Sequence, residues 1–435
     1  MSNYDCHACR EYNSLSRRQF IGAASGAAFA ALTAPAWLPR VAYARQDCSG
    51  RDVIISIYLR GGADGLSMVV PFADPAYYAA RPALAIPHPD SGDPNAAIAL
   101  DEFFGFAPAM APLVEAYRAG HLLVVHATGM VNATRSHFDA QRFMEVGKAA
   151  DPTLYTGWLG RHLASVPPLR PDAILRGVGI NTGLQRTLVG GPETLPIPNL
   201  DQFGLTGNAQ TLAARRQAIS DMYAMTHDPL RAAGETTLLT IDLLNQIDFA
   251  GYQPKGGAVY PAGAFGLALK STAALLKAQV GVEAVAIDLG GWDHHNSEGP
   301  ISGAMADLMT QLSQGLAAIH ADLFSRSGAG TPNVTVVVTT EFGRRVDENG
   351  SGGTDHGYGG AMLVLGGNVA GGRVLAQWPG LAPDQLFEQR DLMVTIDYRH
   401  VLAEIVQYRL GNANLDYVFP DFTPNFRGVV CPSTA

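Results

Sequence analysis

Apolar runs with the two-residue rhythm of strands alternate along this chain with apolar positions spaced three and four apart, the rhythm of helices. Strands are predicted over 53–59 (VIISIYL), 121–126 (HLLVVH), 282–289, 334–340 (VTVVVTT) and 361–365. Helices are predicted over 107–118, from Ser136 onward, and over 265–279, 301–325 and 397–409, with short strand-like pieces between 373 and 396. Such alternation builds βαβ units, so the expected fold class is α/β, with a mostly parallel central sheet and helices on both faces. Pro and Gly break the pattern across 71–97, 152–205 and 251–264, while helical spacing returns over 207–250. The stretch from about 150 to 262 therefore reads as a helical insertion in one α/β domain spanning 45–435. No internal repeat of about 20–50 residues recurs, which excludes a solenoid or propeller.

The first 44 residues follow a different logic. Ser16-Arg17-Arg18-Gln19-Phe20-Ile21 is a twin-arginine signature, followed by the weakly apolar stretch Gly22–Leu38 and the small-x-small triplet Ala42-Tyr43-Ala44. This order is that of a twin-arginine signal peptide, and it predicts export of the folded chain by the twin-arginine translocase. The expected location is periplasmic or secreted. Pro35, Pro39 and the Ala/Gly content argue against a permanent membrane span.

Composition narrows the picture further. Forty-seven per cent hydrophobic and 16% charged residues over 435 positions fit a chain with a large core. A net charge of −9 disfavours a general nucleic-acid binder. Cys6 and Cys9 fall in the leader, which leaves Cys48 and Cys431 in the mature chain. In an oxidising compartment these two are expected to form a disulfide tying the ends together.

Chemistry gathers where apolar strands end. Strand 282–289 runs into Gly290-Gly291-Trp292-Asp293-His294-His295, and strand 334–340 into Glu341-Phe342-Gly343-Arg344-Arg345. A glycine-rich loop delivers Asp355-His356 just before strand 361–365, and strand 53–59 opens into Arg60-Gly61-Gly62-Ala63-Asp64-Gly65. Ligands collect outside the carboxyl ends of parallel strands, so these acids and histidines are expected to converge on a divalent metal. Asp64, Asp293, His295, Glu341 and His356 are the candidate ligands. Spacing leaves His294 or His295 open as the inner donor. Zinc, manganese, magnesium and calcium are not distinguished at this point. Arg60–Gly65 is no dinucleotide loop, because Arg60 stands where the first glycine belongs and Asp64 would repel a pyrophosphate.

Thr134-Arg135-Ser136-His137-Phe138-Asp139 lies between strand 121–126 and the next helix. Ser136 at a helix N-terminus would be favoured as an alkoxide, and equally it fits a plain N-cap with Asp139 three residues on. Arg135 could hold an anionic substrate oxygen, and His137 could assist proton transfer.

Together, the twin-arginine leader, R-G-G-A-D-G, R-S-H-F, G-G-W-D-H-H, T-T-E-F-G-R and G-G-T-D-H resemble the bacterial family called domain of unknown function 1501. That family is grouped with the alkaline-phosphatase-like superfamily of phosphatases, sulfatases and metal-dependent phosphoglycerate mutases. The resemblance implies a three-layer sandwich, one or two metal ions and a Ser, Thr or modified Cys nucleophile. It implies that Asp64 binds one metal, Asp293 and His295 the other, that His356 is the last imidazole ligand, and that Ser136 is the nucleophile. Two departures stand out: Glu341-Phe342 replaces the superfamily's Asp-His pair, and the 293–295 spacing is two where the phosphatases use four.

The expected function is an exported metal-dependent hydrolase of phosphate or sulfate esters, its substrate a small molecule or polymer. Two alternatives are a catalytically inactive cell-envelope binding or assembly protein of the same fold, and a protein whose metal is purely structural.

Overall fold

The computed structural model describes residues 51–324 and 333–431. The leader and Cys48, and with Cys48 the expected bridge to Cys431, lie outside the described residues. Twelve strands follow in chain order: β1 (Val53–Arg60), β2 (Val69–Val70), β3 (Ile98–Ala99), β4 (Gly105–Phe106), β5 (Leu122–Gly129) and β6 (Gly177–Ile180). Then come β7 (Thr194–Pro196), β8 (Ala284–Gly290), β9 (Val334–Thr340), β10 (Gly360–Gly366), β11 (Arg373–Leu375) and β12 (Ile396–Asp397). Nine of them form one sheet in the order β11-β5-β10-β9-β1-β8-β6-β7, with β12 beside β5; β2, β3 and β4 make a small separate sheet. In the large sheet only β10 opposes its neighbours, β5 and β9; the other pairs are parallel.

The almost wholly apolar sequence of β1, interrupted only by the buried Ser56 before its last residue Arg60, places it at the centre, because side chains pointing either way must be covered. Val53, Ile55, Ile57 and Leu59 face Leu269 of helix Ala264–Lys277 and Leu312, Leu316 and Ile319 of helix Ala304–Phe324. Ile54 and Tyr58 face the opposite layer, with Met144 of helix His137–Val146, Leu159 of helix Trp158–Ser165 and Leu402 and Ile405 of helix Tyr398–Tyr408. Each fully buried Ile or Leu in these layers contributes about 1.5–3 kcal/mol. The result is a mixed α/β fold with a mostly parallel sheet flanked by helices. No helix of the described residues is long and apolar enough to cross a membrane.

Two expectations need correction. The helix predicted over 107–118 is a 3-10 turn, Pro108–Leu113, followed by the short α-helix Val114–Arg118. Pro112 lacks an N–H and its ring blocks the preceding turn, so a continuous α-helix cannot form there. The stretch 150–262 is not a purely helical insertion, since β6 and β7 extend the main sheet beyond β8. Their Gly-rich, short sequences (GVGI and TLP) carry too few apolar side chains to register as strands. The helices Leu212–Ala224 and Leu230–Leu244 lie where helices were predicted, and the second buries Leu238, Ile241 and Leu244 at that spacing, whereas the first buries none of its residues.

The topology delivers the polar segments to one edge. β1, β8 and β9 run parallel in register, with Arg60 opposite Gly290 and Leu59 opposite Thr340. Because β10 is reversed, its first residue, Gly360, arrives at this same edge beside Thr128 of β5.

Candidate metal centre

His137 opens helix His137–Val146, which is capped by the Ser136 hydroxyl accepting the Asp139 N–H at 3.4 Å. Its Nδ1 lies 2.8 Å from Glu341 Oε1 at the end of β9. The same oxygen accepts the Gly61 N–H and the Gln141 amide, each at 2.9 Å. Burial alone would raise the Glu341 pKa, but the bonds from His137, Gln141 and Gly61 outweigh it and hold the carboxyl below its ordinary value. The carboxylate in turn raises the pKa of His137 against the opposing effect of burial.

His356 and His295 are anchored in the same manner. His356 Nδ1 is 2.9 Å from the Arg135 carbonyl, and His295 Nδ1 is 3.0 Å from Asp355 Oδ1. A carbonyl or a carboxylate can only accept, so all three rings carry their proton on Nδ1. A neutral ring then presents a bare lone pair at Nε2. Those three atoms turn toward Asp293. His137 Nε2 is 3.4 Å from Asp293 Oδ2, and His356 and His295 Nε2 are 3.2 and 3.1 Å from Oδ1.

Two of these imidazole nitrogens, His295 Nε2 and His356 Nε2, stand only 3.0 Å apart. Facing lone pairs repel unless a proton or a metal cation lies between them. His137 Nε2 is in addition buried without a hydrogen-bond partner. Donor atoms of His137, Asp293 and His356 all lie within 4.8 Å of one another. Imidazole nitrogens with one carboxylate are the donor chemistry of zinc, manganese and iron, so the residues fit a divalent ion. Each His-to-acceptor bond is the outer contact that fixes a ligating ring's tautomer and strengthens it as a donor.

A family model described as Protein of unknown function (DUF1501) matches residues 51–411. The chain belongs to the DUF1501 family. No curated protein and no solved structure matches it.

Around the cluster, this DUF1501 chain holds its loops with one buried guanidinium. Arg344 donates to the carbonyls of Gly61, Gly62, Trp292 and Thr354 and, at 2.6 Å, to Asp293 Oδ1. Burial pushes the Asp293 pKa up, but the bond and charge of Arg344 outweigh it and hold it at about 2. Gly61, at φ +124°, lies so close to the next loop that a Cβ would meet the Asp293 nitrogen at 2.6 Å. That approach, not a nucleotide, explains the paired glycines after β1. Phe342 packs its ring 4.8 Å from the centres of both His137 and His356. An apolar wall therefore stands behind those two imidazoles.

The other sequence candidates are placed as follows. The donor group is His137, Asp293 and His356; His295 borders it through Asp293 and His356, and His294, its pKa lowered chiefly by burial, is not part of it. Glu341 touches the cluster through His137 alone, as an anchor. Asp64 is drawn away from it. Asp64 is buried against the fully buried Arg81, which donates to both of its oxygens and to Ser67 Oγ, Val346 O and Arg345 O. The guanidinium satisfies the charge for which a metal would compete. Ser136 is exposed and its hydroxyl caps the helix. The Arg135 guanidinium is held by Asp391 and Glu388, so only its carbonyl serves the cluster.

Sequence reasoning named His137 for proton transfer and did not see it as a donor. Asp355 was grouped with His356 at the metal rather than seen as the anchor of His295, and Gln141 went unassigned. Asp355 carried a signal, since it precedes His356 and an acid can reach a neighbouring ring. Gln141 carried none, because its role depends on a residue 200 positions away.

Proposed function

We propose that this chain is an exported, metal-dependent hydrolase of phosphate or sulfate esters, with the alkaline-phosphatase-like architecture that its sequence resembles. One observation carries the reading: three imidazoles anchored through Nδ1 present Nε2 to a single carboxylate, and two of those nitrogens lie 3.0 Å apart. His137, His356 and Asp293 would hold one divalent ion, with His295 beside them. The imidazole-rich set favours zinc, manganese or iron over magnesium and calcium, which prefer oxygen donors. Bound there, such an ion supplies Lewis-acid stabilisation of charge on the transferred group.

The remaining chemistry belongs to the chain. Glu341, Asp355 and the Arg135 carbonyl keep the three rings in the donating tautomer. Ser136 is the nucleophile: its exposed hydroxyl stands beside His137, its long bond to the Asp139 N–H leaves it free to turn, and the helix N-terminus favours its oxyanion. A purely structural ion is disfavoured by exposure. The Asp293 side chain is 45% and that of His295 42% accessible, and three protein donors leave a coordination position open to substrate, whereas structural sites are filled by four. The twin-arginine signature supports a periplasmic or secreted location for the mature protein.

The test is turnover of an aryl phosphate and aryl sulfate panel by metal-loaded protein. Hydrolysis lost in Ser136→Ala with metal content unchanged is expected. An inert wild type with a full metal complement would return the ion to a structural role. Undiminished turnover in Ser136→Ala would remove the serine from the reaction.

A further inference from the structure

Resting on that reading, we infer that Arg345 reads a second anionic group on the substrate, set apart from the ester that meets the metal centre. The arginines nearby are already committed. Arg60 is held by Glu145 and Asp288, Arg135 by Asp391 and Glu388, Arg390 by the same two acids, and Arg344 by four carbonyls and Asp293. Arg345 differs from all of these. Its backbone is fixed on both sides, with its N–H donating to the Asp355 carbonyl at 2.9 Å and its carbonyl accepting from Arg81 at 2.9 Å. Its guanidinium makes no side-chain hydrogen bond within the described residues, and its Nε is buried without a partner.

The nearest acid is Asp355, with Oδ2 at 4.0 Å from Arg345 Nη1, beyond hydrogen-bond reach. The other oxygen of Asp355 is taken by His295. Arg345, Asp355 and His295 form the open rim of the centre, with side chains 34%, 47% and 42% accessible. A substrate approaching the metal ligands from solvent passes this guanidinium. Asp355 and the His295 ring stand between it and His295 Nε2 in the chain of contacts. With the ester held at the metal ligands, the group it meets lies elsewhere on the substrate, on the alcohol that leaves. A planar guanidinium with unfilled donors suits a carboxylate or a second phosphate.

Calorimetric titration of zinc-loaded protein with phenylphosphonate and para-carboxyphenylphosphonate tests this without requiring turnover. Wild type is expected to bind the carboxylated probe about tenfold or more tighter, as a charge-assisted bond warrants. Arg345→Gln abolishes that preference and leaves phenylphosphonate affinity and zinc content unchanged. Arg345→Lys restores part of it, because the charge remains while the fork is lost. Equal affinity for the two probes in wild type, or a preference that survives Arg345→Gln, overturns the inference while the proposed hydrolase stands. If neither probe binds, both readings fall; if phenylphosphonate alone binds, only the inference does.

Discussion

Asp64 and Asp293 occupy equivalent places and have opposite fates. Each follows a strand of the same sheet, β1 or β8, and those strands lie side by side in register. Asp64 is fully enclosed with Arg81, and Asp293 is half-open and faces three imidazoles. Position at a strand end thus brings an acid to the site's edge without making it a ligand. What decides is the cation already present. Arg81 neutralises Asp64 through two oxygens inside the core, whereas Asp293 keeps Oδ2 directed at His137 while Arg344 holds Oδ1.

This contrast can be broken from either end. The largest effect on stability is expected at the buried pair: Arg81→Met leaves Asp64 charged and unpaired, costing about 3–5 kcal/mol. Chemical denaturation should show that loss, with metal content retained at temperatures where the variant is folded. Loss of the metal from folded Arg81→Met would join the two acids into one site. Asp293→Asn should behave in reverse, losing the ion with a much smaller change in apo-protein stability.

The anchors sharpen the comparison at intermediate size. Glu341→Gln can donate instead of accept at His137 Nδ1, which frees the ring's tautomer. Metal affinity measured by chelator competition should fall about 10–100-fold. An unchanged affinity would show that Glu341 does not position the ligand.

A smaller effect comes from Glu298, buried close to Asp64 and bonded to Thr354 Oγ1 at 2.7 Å. Burial first, and then the Asp64 charge, push its pKa from 4.5 up to about 8. Between those values the folded state holds a proton that the unfolded state has released. Its contribution to stability is therefore complete below pH 4.5 and is lost as the pH rises to about 8. Denaturation midpoints of Glu298→Gln should fall less steeply than wild type across this window, and parallel curves would contradict the assignment. The smallest stability effect should be that of Ser136→Ala, about 1 kcal/mol or less for the lost cap, even though turnover disappears.

Much of this arrangement was legible in the sequence, because strand ends can be read from apolar runs. The expected strands 53–59 and 334–340 differ from β1 and β9 by at most one residue, and His295, His356 and Asp293 do meet. The rest depended on partners that no local pattern reveals. Nothing about Asp64 announces that Arg81, 17 residues on, will fold back upon it. His137 was noticed for its neighbour Ser136, and its place in the cluster follows from Glu341, 204 positions away. β6 escaped notice because Gly177 and Gly179 leave it almost no apolar face.

The most direct test is elemental analysis of the mature protein, purified without added metal, in wild-type, His137→Ala, His356→Ala and Asp64→Asn forms. The account predicts about one divalent transition-metal ion per chain in wild type and in folded Asp64→Asn, and almost none in either histidine variant. A full complement in both histidine variants, or a metal-free wild type that takes up no added zinc, would contradict it.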